Sequence, residues 1–283
     1  MNPVSIGYPN AIMTDDISQF DVHDRDPADN CASTKLVALL SIPGDMASRL
    51  FIPDGLLGVY KAPNVLSYSV VHSVKQILRQ NPLQRSVKVG HSGVLDHFAE
   101  GILVIGIGSA CKRLTQILKG DKKYVVTGRF GFETDTLDIS GNCIRTLGYE
   151  HITRDCIEHK LSKFIGNILQ TPPLFSALKI QGKRSSDRVR NGEKVVLSPR
   201  PVVVHDLQLI SYEPPVFRLE VHCGSGFYVR SLVRDIGESL GSCATAVTLC
   251  RTKSGPFSIP DSKLIRSDEL TLESIFSNIY LGP

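Results

Sequence analysis

The sequence predicts an α/β or α+β domain built on a largely antiparallel sheet, and three observations predict it. Short apolar runs, Leu56 to Tyr60 and Ile102 to Ile107, have the composition and length of buried strands. Among them lie segments with apolar residues at helical spacing, such as Val70, Val71, Val74, Ile77 and Leu78. Later in the chain two strand-like stretches, 201–210 and 216–223, follow one another directly around Glu213-Pro214-Pro215.

In chain order, residues 1–53 read as an acidic, disordered extension. Asp15, Asp16, Asp21, Asp24, Asp26 and Asp29 recur there beside Pro27 with few aromatics, a composition that favours disorder. A mitochondrial transit peptide is rich in Arg and poor in acids, so this stretch points to the nucleus or cytoplasm instead. The folded body is expected over 54–258. Its first strand is followed by a turn at Lys61-Ala62-Pro63-Asn64 and a helix that Pro82 ends. Next comes the glycine-rich loop Gly90-His91-Ser92-Gly93-Val94-Leu95-Asp96, running into the strand Ile102 to Ile107. Ala110 to Leu118 reads as a short helix ended by Gly120, and Tyr124 lies at the entry to a further strand. Gly131 to Gly141 is a polar, turn-rich connection, and Thr153 is placed to N-cap a helix over 153–165, with Gly166 after it.

An insertion at about 167–200 carries the basic residues Lys183, Arg184, Arg188, Arg190 and Lys194. In the strand 216–223, Phe217, Leu219, Val221 and Cys223 alternate with Arg218, Glu220 and His222, the period of a sheet with one buried face. Gly224-Ser225-Gly226 leads through Phe227-Tyr228-Val229-Arg230 into a helix with Leu232, Val233, Ile236 and Leu240 on one side. A last strand over 244–253 contains Leu249, Cys250 and Arg251, and 259–283 is expected to be a tail.

Charge is unevenly placed. The net charge is +4, but residues 1–54 hold eight aspartates against Arg25, Lys35 and Arg49, so the remainder is strongly basic. A positive body suits a polyanion, because neutralising phosphates releases counterions. No apolar stretch approaches the roughly 20 residues that span a bilayer. Seven scattered cysteines without a C-x-x-C pair fit a reducing compartment. The eight histidines show neither an i,i+4 pair nor a Cys partner at zinc-site spacing, so no structural metal is expected. Gly106-Ile107-Gly108 is only a partial dinucleotide motif, since Cys111 stands where its third glycine belongs.

On local chemistry Asp96 is either a turn residue or a loop-borne functional carboxylate. The wider pattern, Gly90-His91-x-Gly93-x-Leu95-Asp96 with Ala99, Gly101 and Leu103, resembles the catalytic motif of the TruB family of RNA pseudouridine synthases. Two more stretches resemble that family: Asp121 to Val126, and Thr134-Asp135-Thr136-Leu137-Asp138. Residues 61–64 resemble its opening turn, although the proline falls at Pro63 and Asn64 replaces a glycine, a residue that tolerates left-handed backbone. The motif departs from the family at Val94 and His97, where Thr or Ala and Pro are usual.

The resemblance covers about 54–258 and implies an α+β pseudouridine synthase fold whose insertion closes over RNA. It implies no cofactor, and with so few residues after 258 it implies no C-terminal PUA domain. It makes Asp96 the catalytic residue, Arg230 its ion-pair partner and Tyr124 the aromatic that stacks on the base. Tyr228 and Leu249 become pocket residues, and His91 fills the space of the flipped base. Arg251 and Lys61 are further substrate-binding candidates, and Lys183, Arg184 and Arg188 are candidates for the RNA backbone. The implied substrate is the uridine at position 55 in the T-loop of tRNA, with mRNA hairpins as a second class and a monomeric enzyme. A catalytically inactive RNA-binding protein or tRNA chaperone on the same fold is the alternative. Asp96→Asn is expected to remove turnover and to leave stability equal or higher, since functional carboxylates often cost the fold stability.

Overall fold

The computed structural model describes residues 52–81, 84–260 and 263–282. The expected extension over 1–53 therefore lies almost wholly outside the described residues. In chain order the elements begin β1 (Gly55–Lys61), α1 (Ser67–Gln80), β2 (Val89–His91) and β3 (Glu100–Ile107). A 3-10 turn (Gly108–Arg113) runs into α2 (Leu114–Lys119), followed by β4 (Lys122–Phe130) and the small hairpin β5 (Phe132–Thr134) and β6 (Cys143–Thr146). Then come α3 (Arg154–Leu161), β7 (Gly166–Gln170), the hairpin β8 (Lys179–Ile180) and β9 (Lys183–Arg184), and α4 (Ser185–Arg190). The long strands β10 (Arg200–Glu213) and β11 (Val216–Cys223) precede α5 (Val229–Ser239) and β12 (Ala244–Ser254). The described chain closes with β13 (Phe257–Ser258), β14 (Leu264–Arg266) and α6 (Leu272–Ser277).

One sheet of mixed strands runs β14-β1-β3-β12-β4-β11-β10-β7, with β2 beside β3 and β13 beside β12. Only β1–β14 and β3–β12 pair in parallel among these neighbours. With helices packed on it, the architecture is α+β, as the resemblance implied. Apolar faces explain the layers: Leu232, Val233 and Ile236 of α5 join Ile157 and Leu161 of α3 over Val126, Phe217, Leu219 and Val221 of the sheet. A second core packs Val70, Val74 and Leu78 of α1 on Leu57, Val59, Leu103 and Ile105. The side chain of Thr153 caps α3 by accepting the Cys156 N–H (3.3 Å), as its position predicted.

The loop that carries Asp96 is placed by a division of one side of β3 between two neighbours. β1 occupies one side of β3. On the other side β2 takes Ile105 to Ile107, while β12 takes only Glu100 and Gly101. The chain from Ser92 to Ala99 leaves the sheet where these two neighbours part. Gly101 is what allows β12 to approach. Its φ is +102°, and a Cβ there would sit 2.4 Å from the Arg251 carbonyl oxygen and 2.7 Å from the Arg251 nitrogen. Gly101→Ala is therefore expected to cost at least about 2 kcal/mol, read by urea denaturation, since both backbone strain and overpacking oppose it.

The body extends beyond the expected boundaries at both ends. Ile52 is fully buried and exchanges two hydrogen bonds with the Gln84 side chain (2.8 and 2.7 Å). The segment expected as a tail is instead part of the sheet layer. β14 pairs with β1, Tyr280 and Leu56 exchange backbone hydrogen bonds (2.7 and 2.8 Å), and α6 buries Ile275 in the core under α1. These elements are too short for periodicity to reveal, and their apolar residues are meaningful only against β1 and α1.

Candidate active site

Asp96 and Arg230 meet at the base of a cleft. Arg230 donates from Nε to Asp96 Oδ2 (2.7 Å) and from Nη2 to Oδ1 (3.0 Å), a two-pronged, charge-assisted contact. The arginine is only 3% exposed. The Asp96 side chain is 35% exposed, so one partner is locked in protein while the other faces the cleft.

A buried guanidinium needs more than one partner. Its Nη1 donates to the Thr136 carbonyl (2.6 Å) and lies 3.5 Å from Asp138 Oδ2, and its Nη2 also donates to the Phe175 carbonyl (3.0 Å). Asp138 is itself buried and oriented, because its Oδ1 accepts from the Thr136 hydroxyl (2.9 Å) and the Ser140 N–H (3.0 Å). The start of α5 is clamped by Gln170 at the end of β7, whose side-chain amide bonds both the N–H (2.8 Å) and the carbonyl (3.1 Å) of Tyr228. Asp138, Thr136, Phe175 and Gln170 escaped the reading of the sequence as functional residues. The Thr134 to Asp138 loop is recognisable along the chain, but its partnership with Arg230 is a long-range contact. The insertion thus reaches Arg230 through a backbone carbonyl.

The other side of Asp96 is held by residues before the loop. The buried Ser67 hydroxyl, at the start of α1, donates to the Leu95 carbonyl (3.1 Å) and accepts the Leu95 N–H (3.0 Å). Asn64 adopts left-handed backbone (φ +61°), so the turn survives without glycine, and its N–H bonds the His97 carbonyl (2.9 Å). The His97 side chain is exposed, so the departure from proline there leaves the loop's backbone anchor in place.

Lys61 is a correction to its reading as a substrate-binding residue. It is fully buried and does not reach the cleft; its ammonium donates to the carbonyls of Ala62 (2.9 Å), Val65 (2.8 Å) and His97 (3.4 Å). Burial pulls this ammonium down to about 8, against the opposing charges of Asp96 and Glu100. Between about 8 and the ordinary value of 10.5 the unfolded chain binds the extra proton, so this residue's contribution to stability rises with pH through that window. Lys61→Met should lack that rise, so the stability difference between wild type and variant should change with pH across the same window. At neutral pH the variant should lose about 1–3 kcal/mol in urea melts, because buried carbonyls lose their donor.

The cleft encloses about 410 Å³ and is lined by His91, Asp96, Tyr124, Arg184, Tyr228, Arg230, Leu249 and Arg251, among others. Tyr124, from β4, is half-buried; burial pushes its phenol up, with the Arg251 charge working against the shift. It is therefore a neutral O–H at physiological pH. Leu249 is buried in the wall. Arg251 borders the cleft but directs its guanidinium into the scaffold, donating to the carbonyls of Ile102 (2.7 Å) and Gly93 (3.3 Å). His91 stands at the mouth, where desolvation and the charges of Arg251 and Arg184 pull its imidazole down. Its Nδ1 accepts the Gly93 N–H (3.2 Å), which fits the neutral ring. In the insertion, Lys183 and Arg184 are exposed on the β8–β9 hairpin. Arg188 differs from them. It bonds Glu193 (2.7 Å), the Ile180 carbonyl (3.2 Å) and Gln181 (3.1 Å), so it braces the insertion rather than pointing outward.

Known proteins share this fold. The structure superposes on a chain in the "Crystal Structure of a Cbf5-Nop10-Gar1 Complex" with a TM-score of 0.55 at 27% identity, covering 80% of this chain and 54% of that one. It superposes on a chain of an archaeal box H/ACA sRNP Nop10-Cbf5 complex with a TM-score of 0.57 at 22% identity, covering 84% and 62%. The chain thus spans about half to two thirds of the length of those structures. The fold is that of the pseudouridine synthases. Residues 75–229 match the family described as "TruB family pseudouridylate synthase (N terminal domain)". The sequence is 43% identical over 241 residues to Pseudouridylate synthase TRUB1 of Mus musculus, covering 81% of this chain and 71% of that protein. It is 36% identical over 201 residues to tRNA pseudouridine synthase B of Phocaeicola vulgatus, covering 71% and 86%. The chain belongs to the TruB family of pseudouridylate synthases.

Proposed function

We propose that this enzyme converts uridine to pseudouridine in the T-loop of tRNA, at position 55, with Asp96 as the reacting carboxylate. The observation that carries the proposal is the two-pronged contact of buried Arg230 with half-exposed Asp96 at the base of the cleft. In the reaction the N1–C1′ bond breaks, the base rotates, and a C5–C1′ bond forms. The C5 proton leaves and N1 gains one, so the change is an isomerisation that needs no redox partner. An ionised carboxylate serves either as nucleophile toward the sugar or as a base for a sugar proton. Arg230 pairs with both oxygens of the Asp96 carboxylate and aims it. Tyr124 offers a ring for the loosened base, and such stacking contributes about 1–3 kcal/mol per base, comparable to the few kcal/mol that extrusion from the RNA costs.

The names of the relatives support tRNA as the substrate, and the exposed cations at the cleft suit a folded RNA loop read by shape and backbone. Hairpins of mRNA with T-loop form are a second substrate class under this reading. All the residues of the site come from one chain, which suits a monomer, and the acidic N-terminal composition suits the nucleus or cytoplasm. An inactive RNA chaperone would bind without product, and the intact Asp96–Arg230 pair argues against it. The test is incubation with an unmodified tRNA transcript followed by chemical mapping. Modification of the T-loop uridine is expected, whereas binding without product would overturn the proposal.

Replacing Lys183 and Arg184 together with Ala should weaken tRNA binding and lower the salt slope by about 1–2, as fewer counterions are released. Arg188→Ala should leave the slope nearly unchanged and loosen the insertion, visible as faster amide exchange over 179–193. Equal slopes for wild type and the double variant would place the hairpin away from RNA.

A further inference from the structure

A second cluster of chemistry-bearing side chains stands outside the catalytic residues. Asp121 immediately precedes β4, His222 lies on β11 and His205 on β10, and these three strands are neighbours in the sheet. The β10–β11 register shifts between Val204 and Asp206, so His205 falls at the irregularity opposite His222. Such irregularities re-aim side chains. The two rings lie with centroids 4.8 Å apart and planes at 48°. His205 Nε2 is 3.1 Å from Asp121 Oδ1, and His222 Nε2 is 4.0 Å from Oδ2. One ligand atom from each residue falls within 4.8 Å of the others.

We propose that Asp121, His205 and His222 form a binding site for a divalent transition-metal ion of the zinc type. Two imidazoles and one carboxylate are a donor set of intermediate softness, suited to Zn²⁺, Co²⁺ or Ni²⁺ and not to Mg²⁺ or Ca²⁺. Zinc bonds of about 2.0–2.2 Å set neighbouring donors about 3–3.5 Å apart. The His205–Asp121 pair already has that spacing, and the third donor reaches it by small rotations of half-exposed side chains. The backbone beneath them is firm, because Val204, Val221 and Cys223 on the same strands are core residues. Neutral imidazoles supply the lone pairs, and water or an RNA phosphate oxygen completes the coordination. Such an ion would tie the start of the strand that carries Tyr124 to the end of β11. Gly224, which follows that strand, lines the catalytic cleft, so the ion would clip the cleft rim and add positive charge beside bound RNA. Spacing along the chain does not reveal the cluster, because the two histidines meet only through sheet register.

The full-length protein, stripped with a chelator, should take up about one equivalent of Zn²⁺ with a rise in melting temperature. With Co²⁺ it should develop ligand-field absorption. Asp121→Asn, nearly the same in shape, and His222→Ala should each weaken uptake at least tenfold and remove the Co²⁺ band. His72→Ala, and Cys143→Ser with Cys156→Ser, should leave both unchanged. Melts in the presence of chelator confirm that each variant is folded. Absence of uptake by the stripped wild type, or uptake and absorption unchanged in both Asp121→Asn and His222→Ala, would overturn the assignment.

Discussion

Asp96→Asn is expected to reduce pseudouridine formation to background while tRNA binding stays within about tenfold, or roughly 1.4 kcal/mol. The amide keeps the shape of the carboxylate but cannot attack a sugar carbon or accept a proton as a carboxylate does. Its effect on stability has the opposite sign from that expected of a costly functional carboxylate. Asp96 is the two-pronged partner of a buried cation, and in the variant an NH₂ group must face an Arg230 N–H. A loss of about 1–3 kcal/mol is expected, with Asp138 and two carbonyls left to hold the guanidinium. Urea denaturation measures it. A stability gain would mean that the pairing contributes nothing to the fold.

Arg230→Lys should be nearly as damaging to turnover, at least about a hundredfold, although it preserves the charge. An ammonium is a point donor on a flexible stem and cannot reproduce the planar fork. It cannot reach both Asp96 oxygens together with the Thr136 and Phe175 carbonyls, so buried acceptors go unpaired at a cost of about 1–3 kcal/mol. Because Phe175 belongs to the insertion, the variant should also loosen the segment that borders the cleft. Single-turnover kinetics with saturating enzyme separate the effects: the chemical step should fall while saturation by tRNA is retained. A variant with ordinary turnover would show that Arg230 does not position Asp96.

The parts of this site that could be read in advance are those whose chemistry is written locally. The loop from Gly90 to Asp96 carries its turn and its carboxylate in seven consecutive residues, and Tyr228 to Arg230 opens an amphipathic helix visible from its period. The strand pattern of 216–223 showed a one-faced sheet, and the sheet is largely antiparallel as that pattern implied. What stayed hidden depends on register and on distant partners. Lys61 looked available beside a turn, yet three carbonyls from two separate segments surround its ammonium. Arg188 sits in a basic run, but Glu193 and the β8–β9 hairpin take its guanidinium inward. Asp138 reads as a turn residue until β4, α5 and the insertion bring it beside Arg230. The short elements after Pro260 have apolar residues too few for a period, and they become structure only because β1 presents an open edge to them.

Single-turnover release of tritium from C5 of uridine in an unmodified tRNA tests most directly whether Asp96, aimed by Arg230, does the chemistry. Tritium can leave only when the C5–C1′ bond forms and C5 gives up its hydrogen. The wild type should release one label for each T-loop converted, and Asp96→Asn should release none above background while still retaining tRNA on a filter. Release by Asp96→Asn at the wild-type rate would contradict the assignment and return Gly90 to Asp96 to the role of a structural turn.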